Sequence, residues 1–393
     1  MELAELIGLR PVPAAGLLLT LTRQCPLRCA HCSTGSAPET RERPEPGLLR
    51  RFVASFGPDD RPEVMMLTGG EPLLLPRLVA DLSASARAAG TRTAVLSGMF
   101  FARAGTRPAS ASGAGSGVVP ASVLRALASV DHFSASLDVH HEREVPRSAV
   151  FRALREIREA GPAVSLHLTG DGPDDPYLAD VTRAIDREFD GTVPALVNEV
   201  RAVGRAASWA GPARPARYRA AAAPPAPCAM AAWPVVAFDG TVLACCNQEV
   251  VDRRPAPAHL TLGHLAHDDW AAVRARTLGS PLLRLVRAMG APALRERHLP
   301  DAAPAASPCT ECRGFADRPE VAAGAAADAS GPAGALLDLT VARRRAERGP
   351  VELVRHYGCA PYAPWVLPRT SRPAGPVPLG ASGQGPTTAE ASL

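Results

Sequence analysis

Six short apolar runs alternate with amphipathic stretches along the first two hundred residues. The runs at 17–22, 63–68, 93–97, 132–138, 163–168 and 192–199 have the length and aliphatic content of buried strands. Between them, 47–56, 75–89, 121–129, 147–160 and 177–188 repeat apolar positions at three- and four-residue spacing and read as helices. Strict β–α alternation implies parallel strands joined by right-handed crossovers, in a doubly wound sheet or an open barrel. The polar motifs favour the barrel. Three cysteines follow the first run, Gly69–Pro72 the second and Gly98 the third, and Ser136–Asp138 end the fourth. All stand at C-terminal strand ends, the face on which barrel active sites are built.

Farther along, the periodicity breaks down. The Gly/Ser/Ala stretch 102–119 follows the third run and reads equally as a lid over that face or as an insertion without function. An Ala/Pro/Arg segment at 212–227 reads as a linker. Beyond it, VVAFDGTVLACC carries strand alternation around Asp239-Gly240, a strong hairpin signal. Residues 302–308 and 321–334 are low in complexity, and the tail 370–393 is expected to be disordered. The expected division is a core at 1–207, a linker at 208–227, a small α+β domain at 228–320, a helical extension at 321–369 and the tail.

Composition removes several function classes. The chain has 43 Lys plus Arg and every one is arginine, so chemistry that needs a lysine, such as a Schiff base, is excluded. The abundant Ala, Pro and Arg are the signature of a G- and C-rich genome, so arginine runs alone do not indicate nucleic acid. The formal charge of +4 is small, and no compact basic block with interleaved aromatics is present. No nucleic-acid partner is expected. Glu2 and Glu5 stand where a signal peptide would carry positive charge, and no apolar run reaches the length of a membrane span. The reading is a cytoplasmic protein with no membrane partner, where clustered thiols bind metal rather than pair.

Cys25, Cys29 and Cys32 form a CxxxCxxC triad. Three thiolates on one tight loop suit an iron–sulfur cubane that keeps one iron open. With GGEP at 69–72 and SLD at 136–138 following in order, the chain resembles the radical S-adenosylmethionine (SAM) superfamily. That resemblance implies a partial (β/α)6 barrel and a [4Fe–4S] cluster held by Cys25, Cys29, Cys32 and SAM. It places Gly69, Gly70, Glu71 and Pro72 at the SAM methionine group, with Glu71 accepting from the ammonium. It further implies Ser97, Ser136 and Asp138 at the ribose and carboxylate, Arg147 or Arg143 as a carboxylate partner, and His31 beside the last cysteine. VGRA at 203–206 resembles the segment that closes the last strand near the adenine. Zinc, the rival for the triad, would not explain GGEP.

Cys228, eleven residues, Gly240, four residues and Cys245 precede a CxxC at Cys309 and Cys312. This pattern resembles the auxiliary-cluster domains called SPASM and, in their one-cluster form, twitch. The resemblance implies one auxiliary [4Fe–4S] cluster on Cys228, Cys245, Cys309 and Cys312; a four-cysteine zinc site would use the same donors. Cys246 competes with Cys245, and Cys359 is unassigned.

The implied activity is reductive cleavage of SAM to a 5′-deoxyadenosyl radical that abstracts hydrogen from a substrate. Oxidative modification or crosslinking of a ribosomally synthesised peptide is the first reading. Dehydrogenation of an aminocyclitol or sugar is the second, and a non-catalytic iron–sulfur or zinc scaffold the third. Partners implied are a peptide or small-molecule substrate and an electron donor such as flavodoxin or ferredoxin. Because 24 residues precede Cys25, a separate leader-peptide recognition protein is also expected. No catalytic acid or base is assigned.

Overall fold

The computed structural model describes residues 1–103, 117–210 and 227–372. The lid or insertion expected at 102–119, the linker at 212–227 and the tail lie largely outside the described residues. Six parallel strands, β1 (Gly16–Thr20), β2 (Val64–Thr68), β3 (Arg92–Ser97), β4 (His132–Asp138), β5 (Ala163–Gly170) and β6 (Ala195–Glu199), pair in sequence order. A helix follows each of β2 to β5, and Pro46–Ala54 follows β1, so each crossover covers the outer face. The result is the expected α/β fold, a partial (β/α)6 barrel.

Alternation along β4 and β5 separates the two faces. Phe133, Ala135, Leu137, Val164, Leu166 and Leu168 pack outward into the main core under the helices. The opposite residues, His132, Ser134, Ser136, Asp138, Ser165, His167 and Thr169, line the inside. An inner face this polar is unusual for parallel strands, whose two faces are ordinarily apolar. At its floor His132 Nδ1 donates to Met1 O at 3.0 Å, its Nε2 pairs with Ser165 Oγ at 2.8 Å, and Ser165 Oγ lies 3.1 Å from Ser134 Oγ.

Three segments remote in sequence plug the barrel. The helix Leu3–Leu9, the wholly buried Trp233 and the helix Gly349–Tyr357 form one apolar cluster with Val64, Ala94 and Leu196. Gly16 is required here, since a Cβ would lie 2.1 Å from the Trp233 ring. The chain after the last of these helices runs beside the open edge of the sheet, where Cys359 N donates to Val197 O at 2.9 Å.

The second cysteine region is hydrogen-bonded into the same sheet. β7 (Val235–Val236) pairs parallel with β1, then turns at Asp239-Gly240 into antiparallel β8 (Thr241–Leu243) and β9 (Thr261–His264). Gly240 takes φ +90°, and the Asp239 side chain accepts from Thr241 N, which together set the turn. The Ala-rich stretch at 321–334 is helical, within Pro319–Ala329 and Gly331–Glu347. Val321, Ala325 and Ala329 recur every four residues and bury one face against Leu282 and Leu285.

Candidate functional site

The triad loop leaves β1 at the C-terminal face. Cys25 is buried and Cys29 and Cys32 half-buried, and the three thiols lie within electrostatic reach of one another. Burial pushes the Cys25 thiol up to about 12 and raises that of Cys29, so a metal must displace protons to bind.

Gly69 and Gly70 press against the chain leading into this loop. A Cβ on Gly69 would meet Thr22 O at 2.5 Å, and one on Gly70 would meet Gln24 O at 2.3 Å. Gly70 N donates to Thr22 O and Glu71 N to Gln24 O. The close approach that these glycines permit is thus to protein backbone. Glu71 is completely buried, accepting from Leu73 N at 3.0 Å, Ser97 Oγ at 3.0 Å and Gly98 N at 2.9 Å. Burial raises its carboxyl to about 7 against those hydrogen bonds. Glu71 therefore ties the loop after β2 to the loop after β3, and Ser97 is its partner. Pro72 opens the short 3-10 turn Pro72–Leu74 that follows.

Asp138 accepts from His140 N and His141 N, both at 2.8 Å, and its other oxygen is 3.3 Å from His31 Nε2. His31 stacks on His140, which leans on Trp209. His141 Nε2 lies 2.5 Å from Gly98 O. Ser136 sits opposite His167 across β4 and β5, and His167 contacts Asn198 at 2.7 Å. Burial holds the His167 imidazole down at about 4, that is, neutral. Arg147 is committed elsewhere, to Glu142 at 2.8 Å and Asp180 at 2.6 Å, while Arg143 is exposed.

Residues 19–185 match the family model described as the Radical SAM superfamily. That stretch is similar to a radical SAM domain. The search of solved structures found Streptococcus suis SuiB bound to S-adenosylmethionine, at 12% identity and TM-score 0.44, covering 66% of this chain and 65% of that one. It also found SuiB bound to precursor peptide SuiA, at 12% identity and TM-score 0.41, with 62% of each chain covered. The chain thus spans just under two thirds of the length of these structures. No similar sequence was found among curated proteins.

A radical SAM domain implies a [4Fe–4S] cluster and SAM, and the donor set fits them. Three thiols stand on one loop within electrostatic reach of one another, and beside them the Nδ1 atoms of His31, His140 and His141 are buried without a partner. Among the described residues no group of three or more His, Cys, Asp or Glu side chains is set to hold a single metal ion. No described helix is long and apolar enough to cross a membrane.

The fold gathers the second cysteine set from three places. Cys228 precedes β7, Cys245 and Cys246 follow β8, and Cys309 and Cys312 lie on the helix Pro308–Gly314. Electrostatic contacts link Cys245 to Cys246, Cys228 and Cys312, and Cys228 to Cys309. Burial raises Cys228 and Cys245 and pushes Cys312 up to about 12. Both Cys245 and Cys246 belong to the group. Arg10 reaches Cys246 and Cys228 from beyond the first helix, lying 3.4 Å from Met230 Sδ and over the Trp233 ring. Nothing in the local sequence marks Arg10. Its position depends on the plug that the N-terminal helix forms. His167 and Asn198 were equally hidden, although alternation along β5 would have placed His167 inside.

Proposed function

We propose that the protein is a radical SAM enzyme that oxidatively modifies or crosslinks a ribosomally synthesised peptide. The observation that carries the reading is the assembly of two separate cysteine sets on one sheet. The triad stands at the C-terminal end of β1, and the second set surrounds the hairpin beside β1. Cys25, Cys29 and Cys32 would hold the cluster whose open iron takes SAM, with Glu71, Ser97, Asp138 and His31 around it. When bound, cluster and SAM supply one-electron cleavage of SAM and hydrogen abstraction from carbon.

The chain's own residues orient and enclose. Asp138 fixes the His140–His141 turn and orients His31, and Glu71 fixes the GGEP loop relative to Gly98. Four of Cys228, Cys245, Cys246, Cys309 and Cys312 would hold an auxiliary [4Fe–4S] cluster, a fully ligated electron acceptor. In this reading residues 1–207 are the catalytic core, 228–320 the auxiliary unit and 321–369 a helical extension. Peptide modification follows from the resemblance of the second set to auxiliary-cluster domains.

The test incubates reduced protein with SAM and a candidate precursor peptide deuterated at side-chain and α-carbons. Expected are 5′-deoxyadenosine and deuterium transfer into it. Absence of 5′-deoxyadenosine under all reducing conditions overturns the enzyme reading. Formation of 5′-deoxyadenosine with label from an aminocyclitol or sugar, and none from peptide, overturns the peptide reading alone.

A further inference from the structure

The triad loop has little regular structure of its own. Within it the backbone bonds are Cys32 N to Cys29 O at 3.1 Å and Gly35 N to Cys32 O at 3.3 Å. Four of its carbonyls, those of Cys29, Ala30, Cys32 and Ser36, accept from the other end of the barrel domain, from residues 204–209 just beyond β6, and Pro26 O accepts from Arg103. Arg205 N donates to Cys32 O at 3.0 Å. Its guanidinium donates to Cys29 O through Nε at 3.0 Å and Nη2 at 2.8 Å, and to Ser36 O through Nη1 at 2.5 Å. Trp209 Nε1 donates to Ala30 O at 3.0 Å. Gly204 takes φ +57°, and a Cβ there would meet Ser33 O at 2.3 Å and Cys32 O at 2.4 Å. Thr34 O is held separately by Arg23.

We propose that residues 204–209 are a clasp and that Arg205 is a positioning residue: its guanidinium holds the cysteine loop in the shape that ligates the SAM-binding cluster. The planar fork of arginine reaches two carbonyls at once, which no other side chain here could do. A loop whose carbonyls are bound by a cation from the turn after the last strand stays ordered before the metal arrives, so little conformational entropy is lost on binding. Trp209 adds a fourth tie and also leans on His140, which stacks on His31, so the clasp and the wall beside the triad move together. The inference rests on the radical SAM reading for the identity of the group held.

The test uses the full chain, reconstituted with iron and sulfide, in wild-type and Arg205→Met, Arg205→Lys and Trp209→Phe forms. Release of the iron that depends on Cys25 is followed with a ferrous chelator, beside the thermal midpoint and the effect of SAM on the electron paramagnetic resonance spectrum. Arg205→Met is expected to release that iron at least tenfold faster with an unchanged thermal midpoint and a weakened SAM effect. Arg205→Lys should recover part of the retention, and Trp209→Phe should speed release about threefold, in line with the loss of one neutral hydrogen bond. Wild-type release rates in Arg205→Met overturn the clasp. If Arg205→Met does not fold, an unchanged rate in both Arg205→Lys and Trp209→Phe overturns it. A total iron content no lower in Cys25→Ala than in wild type would overturn the radical SAM reading instead.

Discussion

Arg287 and Asp338 form a salt bridge that is almost completely buried, 2% and 5% exposed, between the helices Pro281–Ala288 and Gly331–Glu347. Asp338 accepts from Nε at 3.0 Å and Nη2 at 2.5 Å, and Arg287 also donates to Thr277 O and Ala231 O. Ala231 lies three residues beyond Cys228, so this pair braces the start of the second cysteine set. Asp338→Ala leaves the guanidinium charge buried with only two carbonyl partners. Breaking one side of such a pair costs about 3–5 kcal/mol, a large share of the ~5–15 kcal/mol by which domains are stable. Replacing both, as Arg287→Met with Asp338→Leu, removes the unpaired charge and should return to within about 1–2 kcal/mol of wild type. Urea midpoints of the metal-free protein, read by tryptophan fluorescence, test this. The rate of alkylation of Cys228 should rise in Asp338→Ala and fall back in the double variant. An unchanged midpoint in Asp338→Ala, or a double variant no more stable than the single, refutes the reasoning.

Three further outcomes follow from the site. Cys25, Cys29 and Cys32 all changed to Ala should leave about four irons per chain while abolishing SAM cleavage; iron falling to zero by colorimetric assay would show that the second set holds none. Glu71→Ala is expected to weaken SAM binding at least tenfold, measured by calorimetry, without loss of iron, because it frees both Gly98 N and Ser97 Oγ; unchanged affinity would remove Glu71 from the site. The Glu71 carboxyl, raised from 4.5 to about 7, stays protonated in the folded chain where the unfolded chain has released its proton. Stability should therefore fall by about 3 kcal/mol as pH rises from 4.5 to 7, at roughly 1.4 kcal/mol per unit. Urea midpoints at pH 5 and 7.5 should show this slope in wild type and lose it in Glu71→Gln; equal slopes would refute it.

The helix and strand pattern of the first two hundred residues was legible because each element carries its own period. β4 spans His132–Asp138 as its alternation predicts, and the helix Arg147–Glu159 ends one residue before its expected end. The helix Leu3–Leu9 went unread, being too short to show a period of its own. The Ala-rich 321–334 stretch, read as low in complexity within a helical extension, is largely helical, but its composition hid where the helices pack. Alanine forms helices well and buries little, so composition looked featureless where a four-residue spacing of small side chains was packing.

Sequence alone determined the donors: which cysteines stand at ligating spacing, which glycines lack a side chain, and that each motif ends a strand. These properties are local, fixed by covalent spacing and by the two-residue period of a strand. Tertiary structure decided who holds them. Arg205 on the cysteine loop, Arg10 beside the second set, Glu71 between two loops and Trp233 under Gly16 join residues far apart in the chain. Their partners are chosen by how the sheet curls and by which segments fill it, and no short stretch of sequence encodes that.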